Sequence, residues 1–196
     1  MKKAILATVI GLSATAAQAE YFVSGALGAM ASEQEVDVSG AFGSSNTVEE
    51  TGSSGTLALA GGVKQEKFRV YAEYANTTFE EADVSFLTAN ADYIHAVSQS
   101  ASLFAGASLG VANLTWNDSD DNVALGLDGE TASSGAAGFR FGGLINAGQG
   151  QLEIAYRSFS ADLETEVTVD TIFGSATAKS TITSSSGIYV GYNLAF

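Results

Sequence analysis

The last ten residues of the chain alternate between large apolar side chains and mostly small or polar ones. The apolar positions are Ile188, Val190, Tyr192, Leu194 and Phe196, and this period of two is the pattern of a β-strand with one apolar face. An aromatic residue at the frayed end of a soluble sheet would bury little surface. A strand whose outer face meets lipid can instead place that ring at the edge of the bilayer. The ending therefore predicts a strand in contact with a membrane.

The amino terminus has the three parts of a secretory signal peptide. Met1-Lys2-Lys3 is basic, residues 4–17 are apolar or small, and Ala17-Gln18-Ala19 is an A-x-A cleavage site. The apolar run is shorter than the ~20 residues that a spanning helix needs. We therefore expect residues 1–19 to be removed on export and residues 20–196 to form a single domain. The absence of cysteine excludes disulfides and thiolate metal sites.

Eight segments of the remaining chain show strand-like alternation. They lie at about 20–30, 56–63, 68–79, 87–93, 103–116, 137–145, 152–157 and 187–196. The segments are separated by connections that we expect to be long at 31–54, 80–83, 117–134 and 161–180, and short at 65–67, 95–100 and 146–150. This order predicts an all-β fold, an eight-stranded antiparallel up-and-down transmembrane β-barrel with short periplasmic turns and long extracellular loops. The alternative is a soluble sandwich or a lipocalin-like barrel, but the less apolar face carries Gly, Ala, Ser and Thr with a few charges, which is typical of a narrow lumen.

Six charged residues fall on the inward-facing side of the predicted strands. By parity these are Arg69, Glu73, Asp92, Arg140, Glu153 and Arg157. The third and seventh strands lie opposite each other in an eight-stranded barrel, so Arg69 can meet Glu153 and Glu73 can meet Arg157. Because eight strands leave an interior about filled by side chains, we predict a neutral lumen ion-pair network that plugs the barrel.

The acidic residues lie mainly outside the predicted strands. The chain has 22 Asp and Glu against 8 Lys and Arg, and most of these acids fall in or beside the long connections, where Lys179 is the only base. Such a surface repels nucleic acid and attracts divalent cations or basic partners. Residues 118–122 begin like a calcium loop, but Val123 and Gly129 stand where Gly and Glu are needed. A solvated acidic loop is favoured over a metal site, with weak calcium bridging to lipopolysaccharide as the alternative.

The aromatic residues are interpreted as two girdles at the bilayer boundaries. Tyr21, Phe68, Tyr93, Tyr192 and Phe196, together with the aliphatic Leu103, are assigned to the periplasmic boundary, and Phe79, Phe86, Trp116 and Phe159 to the outer one. The single histidine, His95, is placed at a periplasmic turn with no carboxylate to orient it. We therefore expect no enzymatic activity and no cofactor.

The chain resembles the small eight-stranded bacterial outer-membrane barrels, which include the OmpA-type transmembrane domain, the OmpX-type barrels and the opacity porin family. The resemblance is carried by the terminal Phe196, by residues 152–157 (LEIAYR), by residues 68–74 (FRVYAEY) and by the signal peptide. It implies location in the outer membrane, contact with lipid and lipopolysaccharide, and an assembly signal at Val190, Tyr192, Leu194 and Phe196 that is read by the outer-membrane assembly machinery.

The resemblance also implies a structural or surface-interaction role, in adhesion or envelope integrity, through the acidic external segments and an extracellular surface or protein ligand. The alternative is a low-conductance porin for small solutes. Residues 164–186 continue the alternation, and two interpretations remain open: a projecting hairpin whose edge recruits a partner strand, or a solvated loop.

Overall fold

The computed structural model describes residues 19–39, 45–79, 82–117, 131–171 and 174–196. These residues form eight antiparallel strands: β1 (Glu20–Ser39), β2 (Ser45–Lys64), β3 (Phe68–Thr78), β4 (Ala82–Ala96), β5 (Ala101–Trp116), β6 (Thr131–Ala147), β7 (Gly150–Thr171) and β8 (Gly174–Ala195). Each strand pairs with its neighbour in sequence, and β1 also pairs with β8, so the sheet closes into a barrel. The predicted fold class is confirmed. Within these ranges no helix is long and apolar enough to cross a membrane.

The strands carry their apolar side chains outward. In β3, for example, exposed Phe68, Val70 and Tyr74 alternate with buried Arg69 and Glu73. The other strands add further large exposed apolar side chains: Val23, Leu27, Leu57, Leu59, Leu87, Leu109, Val111, Phe139, Phe141, Ile145, Ile154, Ile188 and Val190. A soluble protein would bury such a continuous apolar belt, whereas a transmembrane barrel presents it to lipid.

The two ends of the barrel differ. The turn end carries the connections at 65–67, 97–100 and 148–149 together with the first residue of β1 and the last of β8. The hairpin end carries the connections that follow β1, β3, β5 and β7. The prediction that the termini and the short turns share one end is therefore confirmed.

The predicted long extracellular loops are mostly strands. Residues 31–54 were expected to be a loop, but β1 continues to Ser39 and β2 begins at Ser45, and the two strands pair. In the connection expected at 161–180, β7 continues to Thr171 and β8 begins at Gly174, and these strands also pair. The connection expected at 80–83 is short, since β4 already begins at Ala82. Over residues 31–54 the apolar alternation of the sequence fades while the hydrogen-bond ladder of β1 with β2 continues. Of the two interpretations of residues 164–186, the pairing of β7 with β8 supports the projecting hairpin. Residues 118–130, in the connection predicted at 117–134, lie outside the described part of the chain.

Within the described residues, four strands extend furthest at the hairpin end, as one sheet in the order β2-β1-β8-β7. Pairing between β2 and β3 ends at Thr56 with Thr77, and pairing between β6 and β7 ends at Ala136 with Ala161. The ladders of β1 with β2, β1 with β8 and β7 with β8 continue beyond these points. We call residues 31–39, 45–55, 162–171 and 174–185 the projecting sheet. Register shifts after Glu33 and Ser160 lie at its base, where β-bulges bend strands.

The outer aromatic girdle expected from the sequence is wrong. Phe86, Trp116 and Phe159 point into the lumen and are at most 4% exposed, and Phe79 packs against the same cluster. Phe86 and Phe159 stack with ring centroids 4.7 Å apart, and the Trp116 indole donates a 3.2 Å hydrogen bond to Thr165 Oγ1. With the other buried members of this cluster, including Met30, Val84, Leu114 and Leu163, they fill the hairpin half of the lumen. The inner face is thus less uniformly small than predicted.

The single tryptophan provides a direct test of this placement. We expect the fluorescence of Trp116 to be quenched weakly both by lipids brominated in their acyl chains and by acrylamide, because the ring lies inside the barrel. The control carries Trp116→Phe and Leu109→Trp, since Leu109 faces outward and is 68% exposed. Strong quenching of Trp116 by brominated lipid, equal to that of the control, would restore the girdle interpretation.

Candidate functional site

The structure brings the six inward charged residues together inside the barrel. β3 supplies Arg69 and Glu73, β4 supplies Asp92, β6 supplies Arg140, and β7 supplies Glu153 and Arg157. All six side chains belong to residues that are between 1% and 5% exposed. With three cations and three anions the group is formally neutral. A buried charge is costly unless it is paired, so the mutual positions of these residues decide whether the site is stable.

The charges form one continuous network across the lumen. Arg69 Nε lies 2.5 Å from Asp92 Oδ2, and Arg69 Nη1 lies 2.7 Å from Glu153 Oε2. Arg140 also contacts Glu153, and its Nη1 lies 3.6 Å from Glu73 Oε2. Arg157 then contacts Glu73, which places both cross-barrel pairs expected from the sequence in the network. Each cation therefore meets at least one anion, and each anion at least one cation.

Glu73 compensates two positive charges that lie next to each other on β6 and β7. Arg140 and Arg157 are directly paired in the register of β6 and β7, and two like charges in such positions repel each other. The carboxylate of Glu73 contacts Arg157 and lies near Arg140, so it compensates both guanidinium groups from the opposite side of the barrel. Removing Glu73 would leave two adjacent cations in a water-poor interior.

Several uncharged side chains complete the network, and the sequence analysis did not assign them to it. Tyr71 donates a 3.2 Å hydrogen bond to Asp92 and accepts one from Arg140. The Phe104 ring centroid lies 4.5 Å from the guanidinium carbon of Arg69, and Tyr189 lies 4.0 Å from that of Arg157. Aromatic faces attract cations electrostatically. The parity of each strand places these rings inward, but parity alone does not show that they contact the charged groups.

Gly106 makes one of the contacts possible. It stands between Asp92 and Arg140 in the same row of the sheet. A Cβ atom at this position would lie 1.9 Å from Asp92 Oδ1, which is closer than any real contact. Because the glycine has no side chain, Asp92 Oδ1 can approach Arg140 Nε to 3.7 Å. The glycine is therefore part of the site although it supplies no chemical group.

The remaining predicted residues have separate positions. Val190, Tyr192, Leu194 and Phe196 are exposed on the outer face of the barrel, between 38% and 76%. His95 lies near the end of β4 rather than in the predicted turn, and it is exposed. Residues 1–18 of the predicted signal peptide (1–19) and the acidic segment 118–130 lie outside the described residues. Among the residues that the structure does describe, no group of three or more His, Cys, Asp or Glu is arranged to hold a metal ion.

Comparisons with known proteins agree with this architecture. The chain is similar to the solved structure of Neisserial surface protein A, with 12% identity, 90% of this chain and 97% of that one covered, and a TM-score of 0.57. It is also similar to the outer membrane protein AlkL, solved in lipid bilayers, with 14% identity, 91% and 90% covered, and a TM-score of 0.52. The N-terminal β-barrel domain of OprF from Pseudomonas aeruginosa gives 11% identity, 89% and 97% covered, and a TM-score of 0.51.

The chain has the fold of the small eight-stranded outer-membrane β-barrels. No family model and no curated protein sequence matches it. The resemblance inferred from the sequence is therefore confirmed at the level of the fold, and the apolar belt places the barrel in a membrane. At these identities the likeness does not extend to activity.

The network predicts a large penalty for single charge removal. We expect Arg157→Gln to lower the free energy of unfolding by about 3–5 kcal/mol, because Glu73 is left buried without its nearest cation. The double variant Glu73→Gln with Arg157→Gln should lose less than the sum of the two single changes. Urea unfolding in lipid vesicles measures each value.

The matched control is the exposed pair of Lys179 and Glu164, which are 2.8 Å apart with side chains 40% and 50% exposed. Lys179→Gln should cost about 0–1 kcal/mol, because solvent screens the pair. Equal small effects of Arg157→Gln and Lys179→Gln would show that the lumen network does not stabilise the barrel.

Proposed function

We propose that the protein is a structural and surface-interaction barrel of the outer membrane, with a lumen that does not conduct. The observation that carries the proposal is the filling of the interior by two layers. The six-residue ion network crosses the middle of the barrel, and the apolar cluster around Phe86, Trp116 and Phe159 fills the hairpin half. A solute would have to displace both layers to pass. The lumen is therefore better suited to stability than to transport.

The projecting sheet supports a role at the cell surface. Among the described residues, its outer strands β2 and β7 each have one edge without a partner strand, at residues 45–55 and 162–171. Open edges of this length can pair with another chain, and in adhesion or envelope maintenance they would offer backbone hydrogen bonds to a protein ligand. The sheet is also rich in acidic residues, such as Glu35, Glu49 and Asp170. This charge favours basic or cation-bridged partners, including lipopolysaccharide bridged by divalent cations.

The orientation follows from export. We place the turn end in the periplasm and the hairpin end outside the cell, with residues 1–19 removed as a signal peptide. The outer face of the last strand, with Val190, Tyr192, Leu194 and Phe196, would be the segment that the assembly machinery recognises. On the closed barrel these four side chains are exposed, as expected for a strand that faces lipid. Before the barrel closes, the same strand would be accessible to the assembly machinery.

Single-channel recording distinguishes a plugged barrel from a low-conductance porin. In a planar bilayer we expect the refolded wild-type protein to be silent or to open rarely, because buried charges and apolar side chains block the path. Arg157→Gln should enlarge or prolong these openings, since it removes one cation from the network. A steady, sizeable conductance of the wild type would show that the charges line a water path, and the porin function would replace our proposal.

Deletion of the upper β7–β8 hairpin tests the surface role. Removing residues 164–180 should abolish attachment of expressing cells to a basic or protein-coated surface, while the barrel remains folded because the ladder of β7 with β6 ends below, at Ala161. Heat-dependent migration on gels reports the folded barrel. A matched control exchanges Glu164, Glu166 and Asp170 for Gln and separates charge from backbone pairing. Unchanged attachment after the deletion would eliminate this hairpin as the interaction site.

A further inference from the structure

The inner face of β7 stays buried beyond the point where β7 separates from β6. The ladder between these two strands ends at Ala161. Leu163 and Thr165 are nevertheless only 1% and 8% exposed. Asp162 and Glu164, on the opposite face of the same strand, are exposed. A strand without support on either side would expose both sets of side chains. The base of the projecting sheet is therefore covered from inside the barrel.

Trp116 provides part of this cover. It is the last residue of β5, and β6 lies between β5 and β7 in the wall. Its indole Nε1 donates a hydrogen bond of 3.2 Å to Thr165 Oγ1, and Leu163 belongs to the same apolar cluster as Trp116. We call the hydrogen bond between Trp116 and Thr165 the lumen anchor. It ties the projecting part of β7 to the rim of the barrel at a level where, among the described residues, no backbone ladder joins β7 to β6.

The chemistry of the indole makes the lumen anchor specific. The indole N–H is a single donor without acceptor capacity, so a buried tryptophan needs one acceptor at one place. Leaving such a donor without a partner in a buried site carries a free-energy cost. The hydroxyl group of Thr165 supplies this acceptor within a mainly apolar cluster. The lumen anchor therefore favours one position of β7 over others that would pack equally well.

A β-bulge at the base of the hairpin gives the lumen anchor its importance. Ser160 pairs with Ser184 and Leu163 pairs with Ile182, so β7 contains one extra residue between these pairs. Bulges bend a strand and increase its twist. Because the ladder with β6 has ended by this point, the position of β7 depends on β8 on one side and on the lumen contacts of Leu163 and Thr165 on the other.

We propose that the apolar layer of the lumen also mounts the projecting sheet, and that Trp116 and Thr165 are positioning residues for the surface role. They hold β7 so that its edge at residues 162–171 is presented to a partner chain in one orientation. A strand that is already fixed loses less conformational entropy when another strand pairs with it. The proposal rests on the surface role proposed above, and it adds that binding outside the barrel depends on a contact inside it.

Two variants of one residue test the lumen anchor. Thr165→Val keeps the size and β-branching of the side chain but removes the acceptor, whereas Thr165→Ser retains the hydroxyl group and is the matched control. Hydrogen–deuterium exchange of the refolded protein in detergent measures local opening of the hairpin. We expect the amides of residues 166–171 to exchange about tenfold faster in Thr165→Val, because a buried hydrogen bond is lost. Thr165→Ser should exchange like the wild type. Trp116→Phe, which removes the donor, should accelerate exchange as Thr165→Val does.

The same variants separate positioning from stability. Attachment of expressing cells to the protein-coated surface should fall about threefold or more in Thr165→Val, since a mobile edge loses more entropy on binding. It should be unchanged in Thr165→Ser. Conductance in planar bilayers and heat-dependent migration on gels should stay as in the wild type for both variants. The ion network and the ladder of β7 with β6 do not involve Thr165.

Three results would overturn the proposal. They are equal exchange rates in Thr165→Val and Thr165→Ser, faster exchange in Thr165→Val with unchanged attachment, and a loss of attachment that is equal in the two variants. Deletion of residues 164–180 distinguishes this failure from failure of the surface role. Unchanged attachment after the deletion rejects the surface role itself, whereas attachment that is lost on deletion but kept in Thr165→Val rejects only the lumen anchor.

Discussion

The exclusion of water from the interior of an eight-stranded barrel is the constraint on which the rest of this structure depends. Six charged side chains lie where water has almost no access, and a charge in such a place is tolerated only beside an opposite one. The pairing of Arg69 with Glu153 and of Arg157 with Glu73 therefore ties opposite walls of the barrel together. Two further features help to stabilise these buried charges. Gly106 leaves room for Asp92 to approach Arg140, and the rings of Phe104 and Tyr189 lie against the guanidinium groups of Arg69 and Arg157.

The sequence predicted the barrel because two simple regularities coincide in it. Side chains alternate across a strand, and in a membrane barrel the outer set must be apolar along the whole lipid-facing length. Inward charges such as Arg69 and Arg140 are easily recognised against that background. The same alternation assigned them to the lumen, and the count of strands placed the third strand, with Arg69, opposite the seventh, with Glu153.

The errors in the sequence interpretation have two physical causes. One strand end was placed too early, since the apolar alternation fades after residue 30 although the ladder of β1 with β2 continues to Ser39. For residues 164–186 the alternation left two interpretations open, and the pairing of β7 with β8 supports the hairpin. Phe86, Trp116 and Phe159 were assigned to a girdle because they lie at or near the outer ends of the fourth, fifth and seventh predicted strands. Their parity is that of inward residues such as Asp92 and Arg157, and it indicated the lumen correctly. The contacts of Phe104 with Arg69 and of Tyr189 with Arg157 could not be predicted, because they depend on how each arginine side chain crosses the lumen.

The separation in sequence between the paired charges has a consequence for how the protein enters its membrane. Arg69 and Glu153 are 84 residues apart, as are Glu73 and Arg157, and β1 meets β8 only when the two ends of the domain come together. In an open, half-assembled sheet Glu73 and Arg157 would lack each other, and exposing them to the hydrocarbon would carry a high free-energy cost. Ladder closure, charge neutralisation and transfer into lipid must therefore be coupled, so that the chain crosses the bilayer as a nearly complete cylinder rather than strand by strand.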